Sequence, residues 1–466
     1  MPQSPTVELP KRFPLVISPE NRATSPDKDS RLVNAFTERQ ADGSYFVYKR
    51  AGFVVESDVA EGAAAGLGVY NWLGDIYSIF GGTLYKNGVS IGLVNNSGET
   101  YRFSQCLGAT PKLQLGNGTA AYNYDASNGL VQITDADFPA SFVKGWAYLD
   151  ATTYVGTPSA HIRGSGLNDP TSWDPLNDIL AQIEPDQGVA LAKQLVYVIM
   201  FKQWSVEAFY DAGNATGSPL APVQGAKANY GCVSQDSVLS IDGMLFWICT
   251  NQSASTQIIK MDALKVEIIS TDPVERLLDE ADFTTVYALQ FKDRGHRFAM
   301  WTVKNSNLTL VYDIDERMWH QWTDADGNYF PFVMTTYDGD YRHVFQHESD
   351  GKLYSVGQMY YTDAGELIDV NIYTPNFDGE TQRRKQMNML TVLADQTDGS
   401  VLEVYTNDAD YSPEGWFGPR TVDLSVKRPM LTNMGTFVRR AMRLRHRCPT
   451  AFRIKAIEMQ LDLGTL

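Results

Sequence analysis

Few residues in this sequence have the types and spacing needed for metal chemistry. His343 and His347 form the one histidine pair at i, i+4, which on a helix would place two imidazoles on one face for zinc. The residues between them favour a strand instead, and the glutamate of a metalloprotease motif is missing. Asp324 to Asn328 (DADGN) begins like a calcium loop, but the distal glutamate is absent, so an Asp-Gly hairpin turn is the better interpretation. We predict no metal site and no cofactor.

Catalytic motifs are equally scarce. The sequence contains no G-x-S-x-G elbow, no Walker loop and no dinucleotide fingerprint. The stretch SGLNDPTSW, which begins at Ser165, resembles the Asp-box turns of sialidases. A glycosidase needs converging carboxylates, and a sialidase also needs an arginine cluster that grips the substrate carboxylate. Because the arginines are concentrated near the C-terminus, we predict no catalytic residues and keep a glycosidase or depolymerase as an alternative.

The same stretch has a clear structural interpretation. Ser165, Asn168 and Asp169 are residues whose side chains bond neighbouring backbone groups in tight turns, and Pro170 presets φ. Trp173 follows as a large apolar anchor that would hold such a turn against a core. We therefore predict a structural turn motif at Ser165, Asn168, Asp169 and Trp173.

A cationic strand lies close to the C-terminus. From Phe437 to Arg445 the alternation places Arg439, Arg443 and Arg445 on one face, with Met442 and Leu444 on the other. The cationic face is either solvated or an interface with an acidic partner or with DNA phosphates. We treat Arg439, Arg443 and Arg445 as a candidate docking face.

The overall charge argues against a protein that reads nucleic-acid sequence. The net charge is −16, whereas phosphate neutralisation requires a basic footprint. From Arg383 onward, however, thirteen Lys and Arg stand against nine Asp and Glu, so this segment carries +4 and the rest of the chain −20. This asymmetry would allow neighbouring copies to attract each other.

Length and composition predict a folded protein of two domains. A chain of 466 residues exceeds what one hydrophobic core usually supports. There is no apolar run of membrane-spanning length and no apolar signal core at the N-terminus, so we expect no membrane span and expect the chain to stay in the compartment where it is made. The four cysteines are widely separated, so we expect them to be reduced and mostly buried.

The middle of the chain is a succession of short strands separated by Gly, Asn and Asp turns. Ile76 to Phe80, Thr83 to Tyr85 and Val89 to Val94 form one such group, and similar groups recur roughly every 40 to 50 residues. This recurrence predicts an irregular β-propeller of about six to eight blades over residues 55–375. A pair of β-sandwiches is the alternative architecture.

The two ends of the chain differ from the middle. Longer alternating runs after residue 375 predict a β-sandwich-like domain over residues 376–466, and residues 1–54 contain one strand-like run, Tyr45 to Lys49. Two helix candidates interrupt the β pattern: Pro273 to Phe283 has Pro near a helix start and one apolar face, and Pro175 to Ile183 is weaker.

Three motifs resemble the tail stabilisation, or nozzle, proteins of short-tailed bacteriophages, also called packaged DNA stabilisation proteins. They are the stretch from Ser165 to Ala215, GCVSQDSVLSIDGMLFWI from Gly231, and LVYDIDERMWHQW from Leu310. RLVNAF at Arg31 resembles the segment that opens many such proteins, and the C-terminal strands resemble their closing platform.

The resemblance implies a mainly β protein with a propeller and a smaller platform domain built from both chain ends. It also implies a virion tail protein, assembled in the host bacterial cytoplasm, that forms a ring of about six subunits. Such a ring would meet a portal-side adaptor, retain packaged DNA and offer surfaces to spikes, fibres or a plug. Double-stranded DNA would pass without sequence-specific binding, because an acidic wall repels phosphates. A carbohydrate-binding tail module is a further alternative.

Overall fold

The computed structural model describes residues 11–13, 15, 30–253, 255–340, 342–409 and 415–464. Strands dominate this part of the chain, and the α-helix it contains spans Asp272–Asp279. The helix confirms the first helix candidate: Pro273 occupies its first turn, and Val274 and Leu278 are buried against the neighbouring sheets. No helix among the described residues has the length and apolar character needed to cross a membrane.

Seven groups of four antiparallel strands in the described chain form the blades of a propeller; five groups are separate sheets, and the other two are parts of larger sheets. We number the blades along the chain and letter their strands a to d from the centre outward. Blade 1 contains Gly66–Trp72, Asp75–Phe80, Thr83–Lys86 and Val89–Leu93, and blade 2 contains Arg102–Cys106, Lys112–Gly116, Ala121–Asp125 and Gly129–Gln132. Blade 3 contains Trp146–Leu149, Thr152–Gly156, His161–Gly166 and Asp169–Leu180. Blade 4 contains Gly188–Gln194, Tyr197–Lys202, Val206–Asp211 and Leu220–Pro222. Blade 5 contains Leu239–Ile241, Met244–Thr250, Thr256–Asp262 and Lys265–Ile268; blade 6 contains Val286–Asp293, His296–Val303, Leu308–Asp313 and Met318–Gln321; blade 7 contains Phe332–Tyr337, His343–His347, Lys352–Gly357 and Gly52–Asp58.

The last blade takes its outer strand from the beginning of the chain. Gly52–Asp58 pairs antiparallel with Lys352–Gly357, so that Phe53 lies opposite Val356. Two short strands, Thr362–Asp363 and Glu366–Leu367, extend this sheet beyond the outer strand, and Asp363 pairs with Phe53. This pairing closes the ring, because the first and last parts of the propeller are held by backbone hydrogen bonds between distant segments.

The platform is a sandwich of two sheets. One, the terminal sheet, contains Ala35–Arg39, Tyr45–Lys49, Arg453–Leu463, Lys385–Ala394 and Met430–Thr432, joined by Lys11–Phe13 and Thr436–Phe437. The other, the arginine sheet, contains Arg31–Val33, Val370–Tyr373, Ala441–His446, Val401–Asn407 and Phe417–Asp423. A core that includes Leu32, Ile372, Leu444 and Ile457 lies between them. The predicted fold class, a propeller with a platform formed from both chain ends, is confirmed.

The two domains share one sheet and one buried ion pair. Arg31–Val33 pairs in parallel with the outer strand of blade 6, so the arginine sheet continues into the propeller. Arg50 lies at this junction, fully buried, with its guanidinium bidentate on Asp363 at 2.8 and 2.5 Å and donating to Asn34 Oδ1 at 2.9 Å. A charge buried to this degree requires such partners.

The platform stands on one particular face of the propeller. Because strands alternate in direction within a blade, the a–b and c–d turns lie on one face and the b–c turns on the other. The backbone N–H of Arg39 donates to Glu316 in the c–d turn of blade 6, and Arg294 in the a–b turn lies over the rings of Phe36 and Tyr48. We call this the platform face and the opposite side the distal face.

Three details differ from the sequence predictions. Pro175 to Ile183 is not a helix: residues up to Leu180 belong to the long outer strand of blade 3, because pairing with His161–Gly166 outweighs local preference. Strand Val370–Tyr373 belongs to the platform although it precedes residue 376, since it pairs with Ala441–His446. Likewise Gly52–Asp58 begins before residue 55. The domain boundaries as predicted remain approximate expectations, and residues 1–10 lie outside the described part.

Candidate functional site

The predicted turn motif lies at the c–d hairpin of blade 3. Ser165 Oγ accepts the backbone N–H of Thr153 at 3.0 Å, and Asn168 adopts a φ of 54°. Asp169 accepts the backbone N–H of Thr171 and forms an ion pair with Lys112 at 3.1 Å. These bonds all satisfy groups inside the protein, and such a hairpin offers no reacting group.

Trp173 ends this motif as a buried anchor. Its indole N–H donates to the carbonyl of Pro170 at 3.0 Å, and its ring lies 4.8 Å from that of Phe138 in an edge-on arrangement. The ring packs in a cluster between blades 2 and 3 that includes Phe142 and Trp146. Burial of this aromatic surface stabilises the contact between the two blades.

The predicted docking face is divided by the structure. Arg443 and Arg445 lie on strand Ala441–His446, with Met442 and Leu444 facing the sandwich core. Arg439 precedes the strand, in the bend that follows Thr436–Phe437. The predicted continuous alternation from Phe437 to Arg445 is therefore wrong, because the strand is interrupted by a bend at residues 438–439.

Arg443 and Arg445 are occupied by neighbours on the same sheet. Arg445 donates to both oxygens of Asp369 at 2.8 and 3.0 Å and has Glu403 at 3.5 Å. The bond to Asp369 raises the pKa of Arg445 above its usual range. Arg443 donates to Asn371 at 2.8 Å and lies over the rings of Tyr373 and Tyr405 at 5.4 and 5.3 Å. Of the three positive charges expected on this face, that of Arg445 is thus balanced by carboxylates of the protein, and Arg443 is held by neutral groups.

A neighbouring arginine that the alternation did not single out is part of the core. Arg440 is buried, forms a bidentate pair with Asp408 at 2.7 Å for each bond, and lies 4.4 Å from the centre of the Phe437 ring. The doublet Arg439-Arg440 interrupts the period of two, and this interruption is the signal in the sequence that the strand breaks there.

The propeller encloses a small polar channel along its axis. The inner strands of all seven blades contribute to its wall, which includes Arg102, Gln105, Lys193, Gln290 and Thr335, and its volume is about 480 Å³. A cavity of this size accommodates a small molecule or water, not a nucleic-acid duplex. The channel is therefore a small cavity at the centre of the propeller domain.

A buried carboxylate supports one side of this channel. Asp236 accepts from Arg102 at 3.2 Å, from Lys144 at 2.6 Å and from Thr100 at 2.7 Å. Burial alone would raise the pKa of Asp236, but the two cations and their hydrogen bonds outweigh it, so the pKa is lowered. The cluster ties blades 2, 3 and 5 together and is fully satisfied within the fold.

The residues with metal-ligand character do not converge. Among the described residues no group of three or more His, Cys, Asp or Glu could hold an ion. His343 Nε2 accepts the backbone N–H of Lys292 at 3.0 Å, and burial lowers the pKa of His343 to about 4. His347 pairs with Asp350, and Asp324 accepts backbone N–H groups of its own turn from Asp326 and Asn328. Each of these groups has a structural partner.

The cysteines agree with the prediction of reduced, mostly buried thiols. All four are free; Cys106, Cys232 and Cys249 are buried, and Cys448 is partly exposed. Burial raises the pKa of Cys232 and of Cys249 to about 12. These two thiols are therefore protonated and unreactive at neutral pH.

The fold defines a class of protein: a β-propeller fused to a sandwich made of both chain ends, with polar clusters that are satisfied within the fold. The chain belongs to the family described as bacteriophage P22 Gp10, beta-propeller, which matches residues 29–374. It is thus a structural protein of a phage tail, as the sequence resemblance predicted. No curated protein matches the sequence.

Solved structures resemble this chain only distantly. BBS1N in complex with ARL6DN is 10% identical, with 66% of this chain and 98% of that chain covered and a TM-score of 0.42. A catalytically inactive virginiamycin B lyase from Staphylococcus aureus with quinupristin is 6% identical, with 67% and 99% covered and a TM-score of 0.43. The extracellular domain of BT4673 from B. thetaiotaomicron is 7% identical, with 86% and 58% covered and a TM-score of 0.43.

Proposed function

We propose that this protein is a subunit of the phage tail nozzle, which closes the portal and adaptor channel, retains packaged DNA and extends the ejection conduit. The observation that carries the proposal is the family match, which spans the whole propeller and reaches into the platform. The joining of both domains through one continuous sheet supports a rigid wall element rather than two independently moving modules.

The DNA conduit would lie between subunits and not within a propeller. The axial channel of about 480 Å³ is too small for a duplex, which supports a central passage enclosed by a ring of about six copies. The charge of −20 before Arg383 would make such a wall repel phosphates, so that DNA passes without sequence-specific binding.

The platform would dock on the portal-side adaptor. Arg439 and Arg443 of the predicted docking face make no ion pair within the described part of the chain. Arg443 is held by Asn371 and two tyrosine rings, whereas the charge of Arg439 is free for an acidic partner. Arg384, Lys427, Arg428 and Arg447 likewise have no ion-pair partner within the described ranges. Arg443 and Arg445 would contribute to this surface by fixing the positions of Asn371 and Asp369, to which they donate hydrogen bonds.

The distal face would then point away from the capsid. It is the face that the platform leaves uncovered, which makes it the surface available to tail spikes, fibres or a plug. In this arrangement the protein assembles in the host bacterial cytoplasm and functions in the virion tail.

The proposal is tested by the native mass and negative-stain images of the purified chain, with and without its portal-side adaptor. Rings of one copy number that form on the adaptor are expected. A chain that stays monomeric with the adaptor present, or one that cleaves surface glycans, would contradict the proposal.

The docking face is tested by charge reversal at arginines that have no ion-pair partner within the described ranges. Arg439→Glu together with Arg447→Glu should weaken adaptor binding and leave the unfolding transition unchanged, because neither side chain has an internal ion pair to lose. Lys265→Glu is the matched surface control, because this exposed lysine on the outer strand of blade 5 has no ion-pair partner within the described ranges. Particles of the double variant that assemble and retain genomes normally would refute docking through this face.

A further inference from the structure

The distal face carries a polar pocket between blades 4 and 5 that no part of the nozzle mechanism uses. Its volume is about 650 Å³, within the range of roughly 300–1,000 Å³ typical of ligand sites. The b–c turns of the two blades contribute Trp204 and Asn251, and the connections between blades contribute Asp186, Gln187 and Asn229. Because b–c turns face away from the platform, the pocket opens on the side opposite to the platform contacts.

Trp204 is unusual among the nine tryptophans. It is half-buried, belongs to none of the hydrophobic clusters of the described residues and contacts no other aromatic ring there. Seven of the other tryptophans are buried, and Trp416 packs edge-on against Tyr373 at 6.0 Å. An indole that lines a pocket and belongs to no hydrophobic cluster can offer its ring face and its N–H to a ligand.

The turn that presents Trp204 is held rigidly. Asp186 accepts the backbone N–H of Trp204 at 2.7 Å and the hydroxyl of Ser205 at 3.0 Å. Behind it, the fully buried ammonium of Lys202 lies 2.9 Å from Asp186 and 2.5 Å from Glu207. The ring is therefore positioned before any ligand arrives, which reduces the entropy lost on binding.

Around the indole the pocket offers amides instead of cations. Gln187, Gln203, Asn229 and Gln252 are exposed at its wall, and none of the described lining residues is Lys or Arg. An amide both donates and accepts, which suits hydroxyl groups. The nearby ammonium groups of Lys202 and Lys227 are already paired with Asp186 and Glu184, so they are not available to bind phosphates or acidic sugars. The apolar face of a pyranose ring stacks on an indole in the same way as other apolar surfaces.

From this combination we infer that the pocket binds a neutral oligosaccharide, with one pyranose ring on Trp204 and its hydroxyl groups on the surrounding amides. The inference is tested separately from the nozzle proposal, because glycan binding is measured on the chain alone and ring formation with the adaptor. It assigns the distal face a recognition role toward glycans in addition to any attachment of tail appendages.

The test is an array of immobilised neutral and acidic bacterial oligosaccharides probed with the full chain, followed by saturation-transfer NMR on the neutral glycans that bind. Wild-type protein should bind neutral glycans, and Trp204→Ala should bind them roughly tenfold more weakly. Trp204→Phe should retain part of the affinity, and Trp416→Ala, on the platform, is the matched control that should bind normally.

A second variant tests the pocket without removing the large Trp204 side chain, whose loss could affect folding. Asn229→Ala with Gln252→Ala removes two exposed amides, so the circular dichroism spectrum should be unchanged while neutral glycan binding weakens. Absence of neutral glycan binding by the wild-type protein, binding of acidic glycans only, or equal binding by the folded Trp204→Ala variant would each overturn the inference.

Discussion

Replacing Asp363 with asparagine removes the charge that balances Arg50 at the junction of propeller and platform. Arg50 is fully buried and Asp363 nearly so. The guanidinium also donates to Asn34 Oδ1 and to the carbonyl of Thr323 at 3.0 Å, and lies over the Phe330 ring at 5.0 Å. These neutral partners remain in the variant, but the net positive charge is no longer compensated.

The expected cost follows from the burial of the pair. Removing one partner of a buried ion pair typically costs about 3–5 kcal/mol, since the remaining charge stays in a medium of low polarity. Asp395→Asn is a matched control, because Arg453 also holds Asp395 in a bidentate pair, at 2.6 and 2.8 Å, but on the surface. An exposed pair of this kind is worth about 1 kcal/mol or less.

The measurement is urea unfolding of both variants and the wild type, followed by circular dichroism. Asp363→Asn should unfold at markedly lower urea than Asp395→Asn. Replacing both members, as Arg50→Met with Asp363→Leu, should recover part of the lost stability because no charge is left buried. If Asp363→Asn is no less stable than Asp395→Asn, the junction does not depend on this pair and the reasoning fails.

Three further predictions concern closure of the ring, pH and thiol reactivity. A Cβ on Gly52 would overlap the backbone of Thr362, so Gly52→Ala should destabilise the protein by about 1–3 kcal/mol in urea unfolding, whereas Gly339→Ala, which meets open space, should be nearly neutral. Burial lowers the pKa of His320 to about 4 from an ordinary 6.5, and that of His446 to about 3, so their unfolded forms take up protons first as the solution is acidified. The contribution of these histidines to the free energy of unfolding should be complete above pH 6.5 and should fall as the pH drops toward 4, by roughly 3 kcal/mol from His320 alone. The variant His320→Phe should show a weaker pH dependence. A urea midpoint that does not change with pH would contradict this prediction. In folded protein, N-ethylmaleimide should label Cys448 and spare Cys106, Cys232 and Cys249, as checked by mass spectrometry before and after unfolding; rapid labelling of more than one cysteine would contradict the burial described above.

Local pattern in the sequence accounts for the elements and their class. The alternation in runs such as Met442 to Arg445 gives a strand one buried face, and Asn-Gly and Asp-Gly pairs end the strands where a positive φ is required, as at Asn87 and Gly88. Pro273 and the apolar face behind it likewise specify the helix. These features act over a few residues, so they can be recognised without knowing the fold.

The candidate site depended on contacts that no local pattern contains. Arg445 looks cationic in the sequence, yet Asp369 from another strand neutralises it, and Arg443 is covered by two tyrosines. The pocket around Trp204 exists because the turns of two blades meet there. Such neighbours are set by strand order, and one strand of period two can pair with any other of the same period.

What the sequence by itself determined is therefore a mainly β chain, its recurrent four-strand groups and its phage tail family. Only the tertiary structure decided that Gly52–Asp58 closes the last blade beside Lys352–Gly357, and that Asp363 is the partner of Arg50. The physical reason is that closure of the propeller ring and compensation of the Arg50 charge both join segments about 300 residues apart. At that separation the partner is chosen by packing and strand register over the whole ring, and not by the preferences of neighbouring residues.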